Sequence, residues 1–242
     1  MPVSISGQVA VVVGASSGVG RAAAILFARE GAHVLAAARR EDRLQSLQEE
    51  LRKEQRTISI RRADASKPED MQQLAQQALK EFGKVDILLV ASGINTKERS
   101  MKNLTPAVWN SLVNVNMDGA FYATYAFLPS MREAGSGHLI YISSISGVLP
   151  DVSGAAYQAS KRGVLGLAHA IRMEEKNNGI RTCVICPGLI DTELLEYRPV
   201  KPSPEDLAKA LQAEDVAETI LHVAKLPLHA SIPEMILLPA TQ

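Results

Sequence analysis

The sequence predicts an α/β fold, a parallel sheet of about seven strands covered by helices on both faces. Three observations predict it. Strand-like runs such as Gln8 to Val13 are apolar without alternation, the pattern of a strand buried on both faces. Helix-like segments alternate with these runs along the whole chain. The first run ends in a glycine-rich turn, Gly14-Ala15-Ser16-Ser17-Gly18-Val19-Gly20, that leads into a helix.

The elements follow in order. After Gln8 to Val13 and the glycine turn, Arg21 to Glu30 is rich in helix formers and stops at Gly31, a C-terminal cap signal. His33 to Ala38 is the second strand. Glu41 to Gln55 is amphipathic, with Leu44, Leu47 and Leu51 on one stripe. Ile58 to Ile60 is a short third strand. Pro68 to Phe82 is a helix with proline in its first turn and Gly83 beyond its end. Val85 to Ala91 is the fourth strand, and a long helical region runs from Thr105-Pro106 to Met131 despite Gly119 and Pro129. His138 to Ile142 is the fifth strand, Ala155 to Asn178 a helix ended by Gly179, and Arg181 to Cys186 the sixth strand. Leu189 to Leu211 holds three prolines and reads as an irregular insert with a short helix. Ala213 to Ala224 is a helix and Glu234 to Leu238 a last strand. No repeat or linker interrupts the pattern, so residues 1–242 are expected to form a single domain.

Composition narrows the function. With 26 basic and 26 acidic residues the formal charge is zero, which gives no electrostatic reason for nucleic acid or anionic membrane as a partner. No apolar run reaches the roughly 18 residues of a membrane span. Met1 to Gly7 carries no basic stretch, so no signal peptide is expected, and with two cysteines the cytoplasm is the default compartment. Cys183 and Cys186 are three apart in a strand-like run, which points them to opposite faces as small buried residues. His33, His138, His169, His222 and His229 are scattered and lack ligand spacing; no metal is expected.

The chemistry centres on Tyr157 and Lys161. On a helix they lie one turn apart on one face. An ammonium beside a phenol favours the phenolate, and the pair could then move a proton near neutrality. Any surface helix can show such a pair, so context decides. Ser144 follows the strand Leu139-Ile140-Tyr141-Ile142 and opens a loop, where open α/β sheets keep their ligands. Asn116 stands in Asn114-Val115-Asn116-Met117-Asp118-Gly119.

With the glycine turn, these motifs resemble the short-chain dehydrogenase/reductase family over nearly the whole chain. The resemblance implies a Rossmann-type doubly wound sheet in the order 3-2-1-4-5-6-7. It also implies hydride transfer between a nicotinamide dinucleotide and a carbonyl or secondary alcohol. In it Tyr157 is the proton donor or acceptor, Lys161 lowers its pKa and holds the nicotinamide ribose, and Ser144 donates to the carbonyl oxygen. Asn116 holds a relay water; otherwise it is a cap or kink residue in the long helix.

Gly14, Gly18 and Gly20 let a diphosphate approach the helix N-terminus, with Val19 beside them. Cofactor choice is read after the second strand. There the chain has Ala38, Arg39 and Arg40 with no carboxylate, which suits the 2′-phosphate of NADP(H), with Ser16 and Ser17 as further donors. The other reading makes Arg39 and Arg40 solvated surface charges. By resemblance Asp64, with Ala65, meets the adenine; otherwise Asp64 caps the helix near Pro68. Where the family has Asn-Asn-Ala-Gly, this chain has Val90-Ala91-Ser92-Gly93, and Val13 replaces a threonine before the first glycine. Gly93 still permits close backbone approach, while the bonds of both asparagines must be replaced or absent. Pro187-Gly188-Leu189-Ile190-Asp191-Thr192 is similar to the family's Pro-Gly-x-x-x-Thr, with Thr192 and the Ile190 backbone holding the carboxamide.

The expected substrate is a small carbonyl or alcohol compound, lined by Ile94, Val148, Leu149, Val152, Leu189, Leu194, Leu195 and Tyr197. The C-terminal run from Pro227 to Pro239 looks like the branch holding NADP-dependent 3-hydroxy acid and serine dehydrogenases. A carboxylate substrate needs a cationic partner, and none stands out in the sequence. Homotetramers or dimers are usual in the family, and Gly163, Gly166, Ala168 and Ala170 fit close helix packing between or within subunits. Two rivals stay open: a nucleotide sensor without turnover, and an epimerase or dehydratase that retains its cofactor.

Overall fold

The computed structural model describes residues 3–241; Met1, Pro2 and Gln242, the outermost positions of the expected domain, lie outside the described residues. Seven strands form one parallel sheet in the order β3-β2-β1-β4-β5-β6-β7. They are β1 (Val9–Val13), β2 (His33–Ala38), β3 (Ser59–Arg62), β4 (Ile87–Val90), β5 (Gly137–Ile142), β6 (Ile180–Pro187) and β7 (Glu234–Leu237). β1, β4 and β5 are buried at every position, as their unbroken apolar runs require. β3 runs two residues further than expected, because Arg61 and Arg62 continue the pairing with Ala37 and Ala38 at the sheet edge.

Side chains alternate between two cores. Ala10 and Val12 of β1 pack with Phe27 of α1 (Gly18–Arg29), Leu47 of α2 (Glu41–Lys53) and Ile220 of α8 (Ala213–Ala224). Val9, Val11 and Val13 face the other core. There they meet Leu74 of α3 (Pro68–Phe82), Phe127 of α5 (Gly119–Ala134) and Val164 of α6 (Ala155–Glu175). Cys183 lies in the first core and Cys186 in the second, on opposite faces of β6. The fold is thus a doubly wound, Rossmann-type sheet.

Three connections differ from the expected pattern. The long helix is broken into α4 (Pro106–Val113) and α5 by a π-helical turn at Asn114–Asp118. α6 closes in a tighter 3₁₀ turn, Lys176–Asn178, and Gly179 with φ +70° ends it. The insert after β6 holds a 3₁₀ turn, Glu193–Tyr197, and α7 (Pro204–Ala208), and Ile190 bridges to Leu211.

Strand register positions the site. Val13 pairs with Val90, Val90 with Tyr141, and Ile142 with Ile185, so the carboxyl ends of four strands finish level. The strand order reverses between β1 and β4. That crevice is where open α/β sheets take their ligands.

Candidate active site

The level strand ends open onto a cavity of about 1050 Å³. One wall is the glycine turn. Gly14 leaves β1 with φ +96°, and a Cβ there would stand 2.6 Å from the Ser92 amide nitrogen. A Cβ on Gly20 would meet the Gly14 carbonyl oxygen at 2.3 Å, and one on Gly18 would meet Thr192 Cγ2 at 3.3 Å. Only bare backbone lets the turn lie this close to β4 and to Thr192. α1 starts at Gly18, and no side chain caps it. Its first N–H groups are therefore left for an anion, and Val19 is buried behind them. Ser92 Oγ borders the same cavity, buried and without a hydrogen-bond partner. A flat glycine cradle, an uncapped helix start and an orphaned hydroxyl fit a dinucleotide.

Arg40 ties this wall together. Its Nη2 donates to Ser17 Oγ (2.6 Å) and Ser16 Oγ (3.2 Å), and its Nη1 donates to Glu193 at 2.8 Å. Arg43 reaches the same carboxylate at 3.1 Å. The hydrogen bond from Arg40 holds the Glu193 carboxyl below its usual pKa. Arg39 is exposed beside Ala38 on the cavity rim and has no partner among the described residues. Asp64 Oδ1 accepts from Ser66 N (3.0 Å) and Ser66 Oγ (2.8 Å). Asp64 therefore caps its own turn and not α3, whose N-cap position is Lys67. Ala65 follows on the rim. Pro187 closes β6, and Gly188 N donates to Leu237 O at 2.8 Å. Thr192, extended at φ −147°, precedes the 3₁₀ turn of the insert, and both it and Ile190 line the cavity.

The opposite wall carries Ser144, Tyr157 and Lys161. Ser144 caps the 3₁₀ turn Ile145–Gly147, its Oγ accepting from Ser146 N at 3.1 Å. The same hydroxyl donates to Ser146 Oγ (3.1 Å), which donates to Asp151 at 2.5 Å. Gly154, at φ +95°, turns the chain into α6. Tyr157 and Lys161 lie one turn apart on its buried side, 7% and 4% exposed. Lys161 Nζ donates to Ile142 O at 2.9 Å and stands 5.8 Å from the Tyr157 ring centroid. Asn116 sits in the π turn. Its Oδ1 accepts from Ile94 N at 2.8 Å, and its Nδ2 donates to Ile94 O and Ser160 Oγ, both at 3.0 Å. A π turn is rare and concentrates at functional sites. Here it aims a buried asparagine at the strand end. A Cβ on Gly93 would come within 3.1 Å of Lys161 Nζ and 3.6 Å of Asn116 Oδ1, so this glycine keeps the space between them open.

Residues 8–202 match the short chain dehydrogenase family. The chain belongs to the short-chain dehydrogenase family. It is 31% identical to an uncharacterized oxidoreductase of Staphylococcus saprophyticus, over 99% of this chain and 98% of that protein. Among solved structures, it superposes on an alcohol dehydrogenase from the archaeon Thermococcus sibiricus complexed with 5-hydroxy-NADP. The TM-score is 0.88 at 28% identity, covering 98% of each chain. The closed form of a serine dehydrogenase complexed with NADP+ also gives 0.88, at 29% identity, over 97% of this chain and 96% of that one.

In this short-chain dehydrogenase the expected catalytic and cofactor residues line one cavity, except Asn116, which is buried behind Gly93, and two of the expected substrate-lining residues do not. Burial pushes the Tyr157 phenol up to about 12, against the pull of the Ser144 hydroxyl, and pushes Lys161 down to about 8. Burial is the largest influence on the phenol, and the Lys161 ammonium gives its hydrogen bond to Ile142 O instead of Tyr157. Val148 and Leu149 leave the substrate wall. Arg162 binds the Gly147 and Val148 carbonyls and folds that loop back on α6, which leaves Leu149 exposed. Ile94, Val152, Leu189, Leu194, Leu195 and Tyr197 do line the cavity. Sequence reasoning missed Ser146, Asp151, Glu193 and Arg99, which also line it. For Arg99 the available signal was the long connection from Ala91 to Thr105, since such loops usually serve a site. Among the described residues no cluster suited to a metal ion occurs, and no helix is long and apolar enough to cross a membrane.

Proposed function

We propose that this oxidoreductase moves a hydride between NADP(H) and a small carbonyl or secondary alcohol, with Ser144, Tyr157, Lys161 and Asn116 as its catalytic set. The observation that carries the reading is the convergence of Ser144, Tyr157 and Lys161, with Asn116 behind Gly93, on one wall opposite the glycine cradle. Gly14, Ser16, Ser17, Gly18, Val19, Gly20, Asp64, Ala65, Ser92, Gly93, Pro187, Gly188, Ile190 and Thr192 would hold the dinucleotide. Arg39 and Arg40, beside Ala38, favour its 2′-phosphate: β2 ends without a carboxylate, and Glu193 of the insert pairs with Arg40 but leaves Arg39 unpaired among the described residues. Two structural relatives are complexes with NADP+ or an NADP derivative, which supports the same choice.

When bound, the nicotinamide supplies or accepts the hydride at the substrate carbon. The protein does the rest. Ser144 Oγ and the Tyr157 hydroxyl donate to the substrate oxygen as negative charge grows there. Tyr157 gives up its proton, and its high pKa keeps it fully protonated at neutrality, ready to donate. Lys161 resupplies that proton, and its lowered pKa makes its own release easier. Asn116, whose Oδ1 lies across Gly93 from Lys161 Nζ, would hold a relay water for that resupply.

The test is absorbance at 340 nm with NADPH or NADH and a panel of ketones, aldehydes and oxo acids. NADPH turnover is expected, with Tyr157→Phe lowering it by about 100- to 10,000-fold. Equal turnover by Tyr157→Phe would remove the proton-transfer role, and a preference for NADH would remove the role of Arg39 and Arg40.

A further inference from the structure

Seven cationic side chains line the cavity. Arg40, Lys201 and Lys209 are paired with Glu193, Glu196 and Glu205. Among the described residues Arg39, Lys161, Arg99 and Arg198 have no ion pair. Arg39 stands at the nucleotide end and Lys161 at the proton-handling centre. Arg99 and Arg198 are left without a task, and they stand together.

Arg99 is built into the wall. It is 9% exposed. Its Nε donates to Thr96 O at 2.9 Å and its Nη2 to Tyr197 O at 2.7 Å. Nη1 has no partner among the described residues and is not sealed from the cavity. A Cβ on Gly154 would stand 2.5 Å from Arg99 Cβ, so the arginine packs against the turn that delivers Tyr157 three residues later. Tyr197, which accepts from Arg99, is followed by Arg198, which also lines the cavity and whose side chain has no hydrogen-bond partner among the described residues. Burial first, and the charge of Arg198 next, lower the Arg99 pKa, and both guanidinium charges act on the Tyr157 phenol. The carboxylate whose field reaches Arg99 is Asp151, and its oxygens are taken by Ser146 Oγ, Ser153 N and Ser153 Oγ. Two like charges held together in a partly desolvated wall oppose each other unless an anion lies between them. A guanidinium already clamped by two backbone carbonyls has lost little freedom by binding one.

We infer that Arg99 and Arg198 seat an anionic group of the substrate, so that the compound reduced or oxidised beside Tyr157 is a small oxo acid or hydroxy acid. The inference rests on the carbonyl and alcohol reading given above. It adds what that reading lacks, a cation at the substrate end of the cavity supplied by two segments far apart in sequence. The carboxylate is held and not transformed; the bonds that change are those of the carbonyl or carbinol group.

Calorimetric titration of the protein with NADP+ present tests it, using 2-, 3- and 4-hydroxybutyrate and the methyl ester of each. At least one acid is expected to bind ten-fold or more tighter than its ester. Arg99→Met and Arg198→Met should each weaken that acid by roughly 30-fold or more, leave the ester unchanged, and leave NADP+ affinity unchanged. Arg99→Lys should recover part of the loss. If no acid binds wild type more tightly than its ester, the seat does not exist, a result that needs no variant. If Arg99→Met weakens acid and ester alike while Arg198→Met weakens neither, Arg99 only braces the wall, and the inference falls. Failure of the redox reading looks different. Acid binding would depend on the arginines, yet NADPH would not be consumed with the matching oxo acids. Conversely, NADPH turnover confined to neutral carbonyls would keep the redox reading and remove the seat.

Discussion

At the scale of single residues, Lys161 shows how the site trades stability for chemistry. Its ammonium is buried with one hydrogen bond, to Ile142 O, and burial lowers its pKa from 10.5 to about 8. The unfolded chain therefore holds this proton between pH 8 and 10.5 when the folded chain does not. Stability rises with pH through that window, and the cost is fully present below pH 8. The difference amounts to about 3 kcal/mol. Lys161→Met removes that cost and also the hydrogen bond to Ile142, worth about 2 kcal/mol. The variant should be inactive yet about 1 kcal/mol more stable than wild type at pH 7, and about 2 kcal/mol less stable above pH 10.5, where only the lost hydrogen bond counts. Urea denaturation at the two pH values measures it; a variant less stable at pH 7 would show that the buried ammonium is well solvated. Tyr157, Lys161 and Ser144 were legible in the sequence, because a turn of helix and a strand end are local geometry, whereas Asn116 was singled out by the family resemblance alone. The pKa values of Tyr157 and Lys161 were not legible, because burial is set by everything packed around them.

At the scale of elements, the glycine turn and α1 act as one unit. Gly20 is within α1, where alanine is ordinarily the better helix former. Here its absent side chain lets the helix lie against the Gly14 carbonyl. Gly20→Ala should cost about 1–3 kcal/mol through the shift that this contact forces, and should weaken NADPH binding because the uncapped helix start moves with it. Thermal melts with and without NADPH separate the two effects. A variant with wild-type stability and affinity would mean that the turn is more yielding than its geometry. The helix boundaries of α3 were readable from Pro68 and Gly83, which act through their own backbone angles. The π turn was not. Asn114 to Asp118 reads as ordinary helix, and the extra residue per turn is imposed by the bonds Asn116 makes to Ile94 across the site.

For the whole molecule, the sheet order and its reversal between β1 and β4 place the cavity, and the outer helices are left with apolar surface. Phe121 and Tyr125 on α5 are 48% and 63% exposed, and Met173 on α6 is 53% exposed. Of the small residues on α6, Gly163 packs against Met117 and Ala168 is buried, whereas Gly166 and Ala170 face outward. We infer a homodimer or homotetramer. Light scattering is expected to give a mass of two or four times 26.1 kDa, and a monomer at micromolar concentration would contradict it.

The sequence by itself determined the strand and helix pattern, the parallel sheet and the glycine turn that closes β1. Each rests on periodicity, on glycine and proline angles, or on residues a helical turn apart, so each is fixed by neighbours in the chain. Only the tertiary structure decided the pairing of Glu193 with Arg40, the departure of Val148 and Leu149 from the substrate wall, and the meeting of Arg99 with Tyr197 and Arg198. Arg99 and Arg198 stand in Lys97-Glu98-Arg99 and Glu196-Tyr197-Arg198, about a hundred residues apart in irregular connections. The burial of Arg99 and its bond to Tyr197 O arise where these two connections meet at the cavity. A loop has no period from which such a meeting could be read.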